Sequence, residues 1–206
     1  VSRSATGAPV PADSVRDRLV AAAFAQFAEH GFEATTVDDI AEQAGVSRRT
    51  FFRHFATKED AVFPDHEALR REVAADLERN HSDPPLAAVC RAVSLVLDDY
   101  VKHREVSLAR FELTRRMTAL RDREIASVHR YQVLFARYVR ERIDPKDEIT
   151  AELMAAAVVT AHNSVLREWL VSGGKKDPRR RLAGVFAQLR EAFDRSAGTP
   201  ADSVVA

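Results

Sequence analysis

The stretch "GVSRRTFFRHFATKED" (residues 45–60) sets two kinds of side chain on one short segment. Arg48, Arg49, Arg53 and Lys58 are interleaved with Phe51, Phe52 and Phe55. A helix buried all round does not take three arginines, and a helix solvated all round does not take three phenylalanines. The segment therefore has two surfaces to satisfy. Ser47 suits an N-cap, and Phe51 and Phe55 stand one turn apart on the inner side. Arg49, Thr50 and Arg53 project from the other side, flanked by Arg48 and His54, with Phe52 between the two faces. From Ser47 to Lys58 there are four cations and no acid, although the whole chain balances 31 basic against 31 acidic residues. Salt screens charges beyond about 8 Å, so the local excess matters more than the total.

Upstream, "DSVRDRLVAAAFAQFAEHGF" repeats apolar residues at helical spacing (Leu19, Val20, Ala23, Phe24, Phe27) until Gly31. "TTVDDIAEQAG" opens with Thr36 as N-cap and Asp39 three residues on, the capping-box pair, and Gly45 ends that short helix. Thr57 and Asp60 repeat the pattern for a fourth helix, which Pro64 should kink or delay. Residues 1–12 read as a mobile arm, and 13–60 as one helical domain.

Beyond "HSDPPL" the pattern predicts a larger all-α domain, residues 61–197 in all, with a flexible tail at 198–206. Helices are predicted at about 86–103, 106–117, 122–143, 149–171 and 178–196, with a turn at "DPKDE" and a break at "SGGKKDP". Nothing in the pattern reads as a strand. An apolar share of 46% against 30% charged residues is globular rather than disordered composition. Cys90 is the one cysteine, which excludes an internal disulfide and argues against a cysteine-rich zinc site. The seven histidines show no H-x3-H or H-E-x-x-H spacing, so no metal is expected. No apolar run approaches the roughly 18 residues of a membrane span, and the start of the chain lacks a signal-peptide pattern. A cytoplasmic location is the expectation. No glycine-rich phosphate loop or G-x-S-x-G occurs, so neither an enzyme nor a cofactor is expected.

Three short helices ending in a two-faced segment suit a recognition helix in the DNA major groove. Arginine can pair with guanine O6 and N7 or with phosphate, and Phe52 could touch a thymine methyl. Lys58 is a candidate phosphate ligand.

"RLVAAAFAQFAEHGFEATTVDDIAEQAGVSRRTFFRHFATKEDAV" resembles the DNA-binding domain of the TetR-family transcriptional regulators. The likeness runs over roughly residues 16–62, through Gly31-Phe32, Thr35-Thr36-Val37, Ile40-Ala41, Gly45-Val46-Ser47, Thr50, Phe55 and Lys58-Glu59. Phe52 departs from the tyrosine common there, and with it goes a hydroxyl that often reaches DNA. The resemblance implies a homodimer, usually a repressor, that leaves a near-palindromic operator when a small effector binds. It implies DNA contacts from Thr36, Ser47, Arg48, Arg49, Thr50, Phe52, Arg53, His54 and Lys58.

It further implies a ligand pocket among the middle helices. Leu69 and Val73 would face it from the fourth helix, and Cys90, Val93, Ser94 and Leu97 from the next. Phe111, Val128, Tyr131 and Phe135 would complete the lining, which suits a lipophilic molecule such as a drug-like compound or fatty acyl derivative. The last two helices would form the dimer contact through Met154, Val158 and His162 and the seam Leu182, Phe186, Leu189 and Phe193. Transcriptional activation within the same family, and a helical carrier that does not read DNA sequence, are the alternative readings.

Overall fold

The computed structural model describes residues 14–64, 66–143 and 148–197. The expected arm, the tail and most of the "DPKDE" turn lie outside these residues. All regular structure among them is helical. The chain divides into two compact units, with the break between Pro64 and Asp65, four residues beyond the border read from the sequence.

The first unit holds α1 (Val15–His30), α2 (Val37–Gln43) and α3 (Arg48–His54). Each starts on a side-chain cap. Ser14 Oγ accepts from Asp17 N, and Ser47 Oγ accepts from Thr50 N at 3.1 Å. Thr36 and Asp39 form a reciprocal capping box, with Thr36 N donating to Asp39 Oδ2 at 2.8 Å. Helices this short do not persist alone in water, so tertiary burial holds them. Leu19, Ala23, Ile40 and Phe51 are fully enclosed, and Phe27 and Phe55 nearly so. Between α2 and α3 the chain reverses through Gly45 at φ 66°, a left-handed position that glycine occupies without strain. Arg16 of α1 donates to the carbonyls of His54 and Pro64 and lies over the Phe55 ring at 4.6 Å. It ties the first helix to the end of the third.

Thr57 and Asp60 bond as the sequence suggests: Thr57 N donates to Asp60 Oδ2 at 2.8 Å and Asp60 N to Thr57 Oγ1 at 3.3 Å. No α-helix starts on them: a three-residue 3-10 turn, Asp60–Val62, follows with Glu59 at its cap position and no side-chain cap bond. Pro64 follows, and the long helix begins after it. Proline has no N–H to continue the turn and disfavours helical geometry in the residue before it.

The second unit comprises α4 (His66–Arg79), α5 (Pro85–Lys102), α6 (Arg104–Arg116), α7 (Thr118–Arg140), α8 (Glu148–Val171) and α9 (Arg179–Ala197). The central helix α8 packs on α5, α6, α7 and α9. Ile149–Val171 is long and apolar enough to cross a membrane by length and composition, which differs from the sequence expectation. Much of it is enclosed in the unit's core: Ala151, Ala155 and Val158 are fully buried, and Trp169 is 4% exposed. At its end Gly174 (φ 68°) approaches α6 so closely that a Cβ there would stand 2.6 Å from Arg104 Nε. Arg104 Nη2 donates to the Gly173 carbonyl at 2.6 Å, fastening that turn.

Candidate DNA interface and effector cavity

The first candidate site is the outer side of α3. Phe51 is buried, while Arg49, Phe52 and Arg53 are exposed, Phe52 to 45%. Arg48 Nη1 pairs with Asp38 Oδ2 at 2.5 Å, and its guanidinium lies 5.2 Å from the Phe52 ring centroid. That exposed pair adds at most about 1 kcal/mol, so it orients the arginine without removing its charge. Among the described residues Arg49 and Arg53 have no carboxylate partner. Thr50 is half-buried, its hydroxyl 3.0 Å from Ser47 Oγ, and Thr36 is exposed at the start of α2.

Two of the residues expected on this face are engaged elsewhere. His54 Nε2 is buried with no hydrogen-bond partner, because the ring turns into the unit. Lys58 Nζ donates to the carbonyls of Phe32 (2.7 Å), Thr35 (2.9 Å) and Glu33 (3.3 Å) and sits 4.5 Å from the Phe32 centroid. An ammonium has three protons, and all three have carbonyl acceptors here. Lys58 closes the α1–α2 loop, in place of the free phosphate ligand expected from the sequence.

The second candidate site is a cavity of about 480 Å³ in the larger unit, within the usual size range of small-molecule sites. Leu69, Val93, Phe111, Val128 and Tyr131 line it, as the sequence suggests. Val73, Cys90, Ser94, Leu97 and Phe135 do not. Val73, Cys90, Leu97 and Phe135 are packed into the core, and the Ser94 hydroxyl turns back to the Cys90 carbonyl at 2.9 Å. Periodicity marks the apolar side of a helix but not which part of that side meets empty space.

The lining also has a polar part. His66, Ser127, His162 and Asn163 belong to it, with Arg115, Arg121 and Arg167 on exposed stretches of the wall. Beside them Arg110 is 6% exposed. Ser107, Arg110 and Thr114 are all buried and recur at helical spacing. That polar stripe was the available signal, but a hydropathy pattern discounts it. Arg110 Nη1 lies 3.2 Å from His66 Nε2, and His66 Nδ1 lies 3.0 Å from Ser127 Oγ. Arginine can only donate, so His66 Nε2 accepts and its proton sits on Nδ1, facing Ser127. Burial, with Arg110 and Arg130 nearby, pushes the His66 imidazole down to about 3. Burial also pushes His162 down to about 4, against the opposing hydrogen bond from its Nδ1 to Asn163 Oδ1.

His162 had been expected in a dimer contact with Val158, Leu182 and Phe186. All four are instead enclosed within one subunit, at 4%, 0%, 2% and 3% exposure. Met154, Leu189 and Phe193 are half-buried against the same core. The apolar side chains left outward on α8 are Ile149 (75%), Leu153 (56%) and Val171 (69%). Among the described residues no cluster of three or more histidine, cysteine, aspartate or glutamate side chains could hold a metal ion.

Comparison with known proteins agrees with this geometry. Residues 19–62 match the model of the bacterial regulatory proteins of the tetR family. The chain is 32% identical over 164 residues to the HTH-type transcriptional regulator TcmR of Streptomyces glaucescens, covering 75% of this chain and 72% of that relative. The chain belongs to the TetR family of transcriptional regulators. A second TetR relative, the HTH-type transcriptional repressor KstR2 of Mycobacterium tuberculosis, is 48% identical over 50 residues, about a quarter of either chain (24% and 25%). Among solved structures, the Thermus thermophilus FadR in complex with lauroyl-CoA superposes with a TM-score of 0.54 at 21% identity, over 93% of this chain and 98% of that one. At that identity the likeness is one of fold. The TetR fold thus supplies both a helix-turn-helix unit and a helical unit with a cavity.

Proposed function

We propose that this regulator is a homodimeric repressor that binds a near-palindromic operator and leaves it when a lipophilic small molecule fills the cavity. The observation that carries the reading is the two-sided α3, with Phe51 held in the core and Arg49, Phe52 and Arg53 outward. Arg49 and Arg53 read base edges or phosphates in the major groove, and Phe52 meets a thymine methyl. Ser47, Thr50, Thr36 and Arg48 position the helix on the backbone. The effector acts through α4, which contributes His66 and Leu69 to the cavity wall and follows the DNA-reading unit directly in the chain. A ligand shifts the balance between two arrangements only by binding them unequally. The relatives' names, a repressor among them, and the acyl-CoA complex of a fold neighbour support this reading.

Titration with operator and scrambled DNA at several salt concentrations tests it. Arg49→Ala is expected to weaken operator binding by about 1–3 kcal/mol and to relax preference at one base pair per half-site. Equal affinity of the wild-type protein for operator and scrambled DNA rejects it.

A further inference from the structure

The wall of the cavity changes character from its depth to its rim. Val93, Val96, Leu166 and Leu170 line it and are buried. Arg115, Arg121 and Arg167 line it as well but are exposed, and so is Ile125, at 60%. These four side chains mark the rim, where the cavity meets solvent. They come from three helices: Arg115 from the end of α6, Arg121 and Ile125 from the first turns of α7, and Arg167 from α8.

Little on the rim offsets the three guanidinium groups. Arg121 Nη2 donates to the Arg115 carbonyl at 2.8 Å, one of the carbonyls that the end of α6 leaves without a helical partner. Arg115 Nη1 lies 3.3 Å from Glu112 Oε1, but Glu112 also meets Arg116 at 3.6 Å, so one exposed carboxylate serves two arginines. Among the described residues Arg167 makes no hydrogen bond or ion pair. Glu124 is the acid of this wall, half-buried. Burial pushes its carboxyl up, and the buried Arg110 leads the cations that oppose this, ahead of Arg167 and Arg121. One carboxylate that answers first to Arg110 does not also neutralise three arginines at the mouth.

An apolar depth under a cationic rim is the complement of an anionic amphiphile. Guanidinium pairs with carboxylate or phosphate through two parallel hydrogen bonds and keeps its charge at any physiological pH. We infer that the effector carries an anionic head group, held at the rim by Arg115, Arg121 and Arg167, with its apolar body over Ile125 and in the cavity below. This rests on the reading of the cavity as the effector site, and it assigns the ligand's charge and the end that stays at the mouth. A neutral lipid would gain the same burial without the arginines, and a cationic one would be repelled by them.

The test uses the full chain and probes with matched straight chains: decanoate, decyl phosphate, decanol and decyltrimethylammonium, all below their aggregation concentrations. Acetate supplies the head without the tail. Calorimetric titration at low and high salt gives the affinities. The better of the two anions is expected to bind about tenfold more tightly than decanol, the cation more weakly than decanol, and acetate not measurably. That better anion distinguishes a carboxylate from a phosphate head. Salt should erode its advantage and leave decanol unchanged. Arg115→Gln combined with Arg167→Gln is expected to bring both anions down to the affinity of decanol, which the variant keeps. If that variant does not fold, the ranking of heads and its salt dependence in the wild-type protein decide. Decanol binding as tightly as both anions, an anion preference that survives in the variant, or acetate binding as tightly as decanoate overturns the inference and leaves the cavity as an effector site. Failure of every probe to bind overturns both, because the cavity then admits no apolar chain.

Discussion

At the scale of single residues, two buried neutral histidines make this protein sensitive to acid. His66 and His162 have imidazoles depressed to about 3 and about 4, whereas in the unfolded chain both titrate near 6.5. Between those values the unfolded state binds more protons, so stability falls as pH falls. The full contribution is present above about pH 6.5 and declines down to the folded values. At pH 5 each histidine is expected to cost about 2 kcal/mol relative to pH 7. Denaturant melts between about pH 4.5 and about pH 7.5, on either side of the unfolded value of about 6.5, check this, and His162→Phe should remove close to half of the loss. Lys58 gives a second residue-scale expectation. Its three carbonyl bonds make Lys58→Ala destabilising by about 1.5–3 kcal/mol in the helix-turn-helix unit. Separate stability and DNA-binding measurements distinguish that from a lost phosphate contact, which would weaken binding without shifting the melt.

At the scale of elements, the first unit was legible because its signals are local. Ser47, Thr36–Asp39 and Gly45 each act within four residues of themselves, and the structure realises each where the sequence puts it. The Thr57–Asp60 pair makes the hydrogen bonds of a cap, yet no α-helix starts on it: the 3-10 turn Asp60–Val62 has Glu59 at its cap position and no side-chain cap bond. A cap starts a helix but does not lengthen one, and Pro64 decides where the next begins. Pro64→Ala is expected to let helix extend from this turn toward His66. Amide exchange of residues 60–66 should then slow relative to wild type. The cavity was half legible for a different reason. Its apolar wall follows helical periodicity, whereas His66, Ser127, Arg110 and His162 come together from four helices, a relation no local pattern contains.

At the scale of the whole molecule, α8 explains why two of the expected interface residues, Val158 and His162, lie inside the subunit. Its apolar residues circle the helix, so the sequence cannot tell the side that meets its own subunit from the side left over. Val158 and His162 went inward, while Ile149 and Leu153 stayed out. A second copy laid against that outward side would cover them, and Leu153→Asp would put a charge in the contact. Light scattering is expected to show dimers for the wild-type chain and monomers for Leu153→Asp, with unchanged helical content. Phe186→Asp, by contrast, should unfold the larger unit, because Phe186 is 3% exposed within one subunit.

Cys90 is the chain's single thiol, 2% exposed in α5, and burial pushes it up to about 11. Thiolate is the reactive form, so at neutral pH the sulfur is both hidden and chemically quiet. Alkylation must then wait for α5 to open, which turns one atom into a clock for the motions of the larger unit. With iodoacetamide in excess, the labelling rate is expected to rise with mild denaturant in step with the opening of that unit. A molecule lodged in the cavity should slow the clock, because it binds the closed form in preference to the open one. Labelling that is fast in buffer and indifferent to denaturant would mean that the sulfur is reached without any opening.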